Sequence, residues 1–298
     1  MSALGECRRS RTDAVSDVGR REGWAESAGR VTAVRARSLH PWRVSYDEAV
    51  ALQVSLGRQV SLVPSAGPLA LVAGADVAYS RRTHQMYAAV VVLRYPTLEL
   101  VETVEHRAPA VFPYIPGLFT FREVPPLLDA FARLRVRPDL LIFDGHGLAH
   151  PRRFGLASHA GLLLDCPAIG CAKSRLVGSY EEVPDQPGAW TPLVDRGETI
   201  GSVLRTRPGV RPVFVSVGHR MNLPTARRLI RDTLGRFRLP EPVRLAHLAT
   251  SRLMTRLDPG RPAPRLHTHP NFIPRATPGS TTAAGERTGT TRTRRARR

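Results

Sequence analysis

From about residue 45 to residue 254 the chain alternates between apolar runs and short polar breaks, and the period of each run assigns an element. Ser45 and Glu48 form a capping box ahead of Ala49, Leu52, Leu56 and Val60 at helical spacing. This predicts a first helix over 45–60, ended by the segment from Pro64 to Pro68. LALVAGADVAYS (Leu69 to Ser80), MYAAVVVLRY (Met86 to Tyr95) and LELVETV (Leu98 to Val104) are apolar, β-branched runs parted by short turns, which predicts three antiparallel strands. Pro125 and Pro126 are expected to open a helix carrying Leu127, Leu128, Phe131 and Leu134. DLLIFDG reads as a buried strand ending at Asp144. A helix over 156–164, strands over 168–172 and 213–217, and helices over 225–234 and 242–254 complete the series. A strand meander followed by strand–helix alternation predicts an α/β fold, a mixed β-sheet flanked by helices in a single domain.

The flanks lack such a pattern. Residues 1–38 are polar, with eight Arg against five acids, and are expected to be a disordered N-terminal extension to a domain over 39–257. From Asp258 the chain turns rich in Pro, Thr, Gly and Arg, with nine Arg and two acids, and 258–298 is expected to be a disordered basic tail. The whole chain carries a net charge of +19, which points to a polyanionic partner, nucleic acid first, with part of the excess belonging to the tail. No apolar stretch approaches the ~20 residues that span a bilayer, and the N-terminus has no hydrophobic signal core. Cys7, Cys166 and Cys171 fit neither a disulfide framework nor a CxxC zinc pattern, so a cytoplasmic protein with no membrane partner is expected.

The chemistry is concentrated in a few polar residues on apolar elements. Asp76 lies inside the strand run AGADVAY, where an ionised carboxylate costs several kcal/mol unless it is paired or holds a metal. Asp144 ends LLIFDGHG, followed by glycines that allow backbone and ligand to approach. Strand-end carboxylates on neighbouring strands could share a magnesium or manganese ion, although either Asp alone also suits a turn or helix cap. Glu123, placed just before the predicted helix, either completes the acidic set or favours the helix N-terminus electrostatically. Lys173 is the only lysine among 44 Lys and Arg, and a compact ammonium is not interchangeable with a guanidinium. His219 ends a late strand in VFVSVGHRMNL, where it could position a water or steady a leaving oxygen. Together these residues describe a metal-dependent phosphodiesterase site. His146, His150 and His159 have no zinc spacing. In FPYIPGLFTFRE, prolines stiffen a loop presenting Tyr114 and Ile115, which suits a wedge between bases or an ordinary core-packed loop.

GADVAY, PYIPGLFTFREVPPLL, DGHGLAHPRRFGLASHAGL, IGCAKSRL, GSVLRTR and VSVGHRMNL, in that order, resemble the endonuclease V family over roughly residues 45–254. The resemblance implies a ribonuclease H-like fold and a magnesium-dependent repair nuclease. Such an enzyme recognises deoxyinosine in DNA and cuts the second phosphodiester bond 3′ to it, leaving a 3′-hydroxyl and a 5′-phosphate. Carried over position by position, Asp76, Asp144 and Glu123 would bind the metal, while Lys173 and His219 would act at the scissile phosphate and the attacking water. Tyr114, Ile115 and Pro116 would form the wedge, and Gly117, Phe119, Gly147 and His150 would line the base pocket. Arg152 and Arg153 would contact DNA phosphates. The protein is expected to act as a monomer on deoxyinosine-containing DNA. Inosine in RNA, and binding without catalysis, stand as the alternatives.

Overall fold

The computed structural model describes residues 34–259, which lie in one compact unit. The first helix is α1 (Tyr46–Gly57). Its capping box is formed: the Ser45 hydroxyl accepts from the Glu48 N–H at 3.3 Å, and the Ser45 N–H donates to the Glu48 carboxylate at 2.7 Å. The meander follows as β1 (Leu71–Tyr79), β2 (Gln85–Arg94) and β3 (Leu100–Pro109), antiparallel as expected. Then come α2 (Thr120–Phe131), β4 (Leu140–Phe143), α3 (Leu156–Leu164), β5 (Ala168–Ala172), β6 (Trp190–Asp195), β7 (Glu198–Leu204), β8 (Val213–Val217), α4 (Leu223–Asp232) and α5 (Glu241–Leu257).

The eight strands form one mixed sheet in the order β3-β2-β1-β4-β5-β8-β7-β6, with β1, β4 and β5 parallel. Helices cover both faces because both faces of the central strands are apolar. On one face Val124, Leu127 and Phe131 of α2 and Ala157, Ala160 and Leu163 of α3 pack on Ala75 and Phe143. On the other, Ala226, Leu229 and Ile230 of α4 and Val243 and Ala246 of α5 pack on Ile142, Val213 and Leu204. α5 lies directly against β1 at Gly74, where a Cβ would stand 2.0 Å from the Pro242 carbonyl oxygen.

Three expectations shift. α2 starts at Thr120, not at the prolines, so Glu123 lies in its first turn and Pro125 and Pro126 lie inside the helix. The prolines remove two i→i−4 hydrogen bonds, and burial of Phe121, Val124, Leu127, Ala130 and Phe131 at helical spacing offsets that loss. β6 and β7 were not expected as strands. Both domain borders also extend outward. Val34 is buried and the Arg37 N–H donates to the Leu163 carbonyl at 2.7 Å, while Asp258 is 1% exposed and bonded to Ser80 and Arg82 at the end of α5. The remainder of the expected extension and tail falls outside the described residues. Among those residues no helix is long and apolar enough to cross a membrane.

Candidate active site

Ala75 of β1 is in register with Phe143 of β4, so the next residues, Asp76 and Asp144, stand side by side at the carboxyl end of β4. Carboxyl ends of parallel strands are where open α/β sheets bind ligands. Extending the same count, Lys173 follows the last residue of β5 at this edge, and its ammonium pairs with the Asp144 carboxylate. Arg238 fixes this strand end by donating to the carbonyls of Lys173 at 2.7 Å and Pro212 at 2.8 Å. Glu123 reaches the same place from the first turn of α2. Burial, then the charges of Asp76 and Asp144, push its carboxyl up to about 8, with Arg122 opposing. Burial also raises Asp144, and the Lys173 charge works against it. The structure therefore brings Asp76, Glu123, Asp144 and Lys173 together.

α5 adds two residues that the sequence reading missed. His247 Nδ1 lies 3.1 Å from Asp76 Oδ2, and the Thr250 hydroxyl donates to the same oxygen at 2.6 Å. Because a carboxylate only accepts, Nδ1 carries the proton. The available signal was two polar side chains three apart on the apolar stripe of Val243, Ala246 and Ala249, where a polar group needs a partner.

A divalent cation suits this set. Three carboxylates with one ammonium give hard oxygen donors and excess negative charge, and burial, with the Asp76 and Asp144 charges added to it, raises the Glu123 carboxyl. Among the described residues no three donors already converge on one point. Asp144 is turned to Lys173, and Asp76 to His247 and Thr250.

His219 is not part of this cluster. β8 runs antiparallel to β5, so its carboxyl end meets the start of β5, at the opposite edge from Lys173. There the Ala168 N–H donates to the His219 carbonyl at 2.9 Å. His219 Nδ1 accepts from the Ser61 N–H at 3.2 Å, and Nε2 faces Asp165 at 3.5 Å. Burial lowers its pKa. Strand direction, which the sequence does not reveal, decided its place.

A second group forms around the loop before α2. Gly117 has φ +78°, and its carbonyl accepts from Gln53 Nε2 at 3.0 Å, His150 Nε2 at 3.0 Å and Arg152 Nη2 at 2.7 Å. The carbonyl requires the His150 proton on Nε2, leaving Nδ1 to accept from the Arg152 N–H at 3.2 Å. Burial, then the Arg152 charge, drive His150 down to about 3, so it is neutral. Gln53 is fully buried and was not anticipated. The Gly147 N–H donates to Ser216 Oγ at 2.9 Å, and a Cβ there would lie 2.0 Å from the Val217 carbonyl oxygen. Tyr114 is 64% exposed with its ring 4.7 Å from that of Phe119. Pro116 is exposed, and Ile115 is half-buried against Phe112, Leu118 and Phe121. Arg153 differs from expectation: its guanidinium is taken by Asp195 at 2.9 Å and Glu198 at 2.7 Å on the β6–β7 turn. Arg152 is likewise engaged, with Gln53 and Gly117.

The family model for endonuclease V matches residues 53–248. The endonuclease V of Roseiflexus sp. (strain RS-1) is 53% identical over 211 residues, 71% of this chain and 94% of that protein. That of Dehalococcoides mccartyi (strain BAV1) is 49% identical over 221 residues, 74% of this chain and 99% of that one. The crystal structure of endonuclease V from Streptomyces avermitilis superimposes with a TM-score of 0.70 at 40% identity, covering 76% of this chain and 99% of that chain. The Ciona intestinalis endonuclease V in complex with a 24mer DNA containing an inosine followed by a ribo-adenosine gives 0.63 at 26% identity, covering 71% and 98%. The sheet and its two helical layers are the ribonuclease H-like fold that these structures share. With its sequence matched along the domain and its fold shared, the chain belongs to the endonuclease V family of nucleases.

Proposed function

We propose that this protein hydrolyses the second phosphodiester bond 3′ to a deoxyinosine in DNA, with magnesium or manganese, leaving a 3′-hydroxyl and a 5′-phosphate. The observation that carries the reading is the juxtaposition of Asp76 and Asp144 on adjacent parallel strands with Glu123 and Lys173 beside them. The Ciona relative binds inosine-containing DNA, which supports the same lesion here.

Asp76, Asp144 and Glu123 would hold the cation. When bound, a divalent ion lowers the pKa of water and neutralises charge growing on the phosphate. His247 and Thr250 hold Asp76 through its Oδ2. Glu123, a carboxyl that retains its proton to about 8 when no cation is bound, needs positive charge beside it to ionise at neutral pH. Lys173 places a compact ammonium at Asp144, where it can turn to the scissile phosphate. Tyr114, Ile115 and Pro116 form the wedge. Gly117, Phe119, Gly147 and His150 shape the base pocket, with hypoxanthine distinguished from adenine by its oxygen acceptor and ring N–H. The Gly117 carbonyl already receives three donors, so it braces the pocket and leaves recognition to neighbouring backbone groups. Arg152 braces the Gly117 loop, and Arg153 ties the loop after β4 to the β6–β7 turn.

Preference for inosine in RNA is the second reading, favoured by the ribo-adenosine that follows the inosine in the Ciona complex. Matched DNA and RNA strands, each with one inosine, decide between the two. Faster cutting of DNA supports the first reading, and faster cutting of RNA supports the second. A protein that only binds nucleic acid has no use for three clustered carboxylates, whose mutual repulsion costs stability.

A further inference from the structure

Trp190 opens the edge strand β6 and is 44% exposed. A lone exposed aromatic residue is unremarkable by itself. This one is backed by a guanidinium: the Arg227 Cζ sits 3.5 Å from the ring centroid, and Arg227 Nη1 is anchored to the buried Ser202 hydroxyl at 3.1 Å. The indole thus stacks on a positive charge while 44% of the residue remains exposed. That is the composition of a stacking platform for nucleobases, in which an aromatic ring supplies dispersion and an arginine supplies attraction for the strand.

Its position gives the platform a role. Ala172 pairs with Phe214, Val213 with Leu204, and Leu204 with Trp190, so Lys173, Val213, Leu204 and Trp190 lie on one row across the sheet. Three strand spacings put Trp190 about 14 Å from Lys173, along the same edge as the acidic cluster. At the rise of a stacked strand this is about four nucleotides. The pocket loop lies on the opposite face, where Ala149 packs with Phe214 and Val203, whereas Val213 and Leu204 face α4. The acids stand at the sheet edge between these two faces, with Glu123 coming from α2 on one and His247 and Thr250 meeting Asp76 from α5 on the other. A strand with its lesion in the pocket and its scissile bond at the acids therefore emerges toward Trp190 on its 3′ side.

We infer that the Trp190–Arg227 pair binds a nucleobase of the substrate strand about four nucleotides beyond the scissile phosphate on the 3′ side. The polarity rests on the reading proposed above. The test uses the full chain in buffer without divalent ions, titrated against fluorescent single strands that carry one deoxyinosine followed by about ten or about three nucleotides. On the long strand Trp190→Ala binds about tenfold more weakly than the wild type, and Trp190→Phe stays within about twofold. On the short strand all three proteins bind alike. Equal affinity of Trp190→Ala and wild type on the long strand overturns the platform, and so does an undiminished deficit on the short one. Wild-type binding that ignores replacement of deoxyinosine by deoxyadenosine counts instead against the lesion assignment.

Discussion

At the scale of single residues, burial and like charge act together on one carboxyl. Glu123 has an ordinary value of 4.5 and a folded value of about 8, so between these the folded state holds the proton more tightly than the unfolded chain. Stability of metal-free protein then falls as pH rises through that window, by up to about 1.4 kcal/mol per pH unit. Glu123→Gln removes the slope, so the two proteins match near pH 4.5 and the variant is the more stable above about 8. Urea denaturation in chelator across this range checks it, and parallel curves contradict it. Lys173→Arg keeps the charge but spreads it over a larger, planar group, and turnover should fall about a hundredfold while affinity for the strand is retained. Single-turnover kinetics alongside a binding titration separates these. Much of this scale was legible in the sequence: Asp76 and Asp144 declared themselves as carboxylates on apolar strands, and Lys173 as a lone ammonium among arginines. His247 and Thr250 were not, because their partner lies more than 170 positions away and only the packing of α5 on β1 brings them to it.

At the scale of elements, the site depends on close approach between helix and strand. Gly74→Ala places a methyl carbon on the Pro242 carbonyl, so α5 must move off β1 and carry His247 and Thr250 away from Asp76. The expected cost is about 3 kcal/mol of stability, with a loss of turnover beyond what the unfolded fraction explains. Thermal denaturation and specific activity on the same sample measure both. The first three strands and most helices were legible because each carries a clear period. β6 was hidden by Pro192 in WTPLVD, since proline argues against a strand except at an edge, and β6 is an edge. The start of α2 was hidden by Pro125 and Pro126, whose usual place is the first turn. His219 shows the other gap: a residue type and strand end can be right while the strand runs the opposite way.

At the scale of the whole molecule, residues 34–259 carry 29 Lys and Arg against 19 Asp and Glu, a net +10, so the folded domain holds over half of the +19. Nonspecific attraction to nucleic acid is therefore a property of the domain as well as of its flanks. Removing residues 260–298, with nine Arg and one acid, should weaken nonspecific DNA binding and flatten its salt dependence while leaving the preference for deoxyinosine intact. Salt titrations of both proteins on lesion and undamaged duplexes test this, and a lost preference contradicts it. The central claim is that carboxylates gathered from β1, β4 and α2 make one metal-dependent cutting site directed at deoxyinosine. Its most direct test is cleavage of a duplex bearing a single deoxyinosine, with and without magnesium, by the wild type and by Asp144→Ala. The account predicts a single nick, two bonds 3′ to the lesion, from the wild type with magnesium and none from the variant or without metal. Undiminished cleavage by Asp144→Ala, or equal cutting of undamaged duplex, would contradict it.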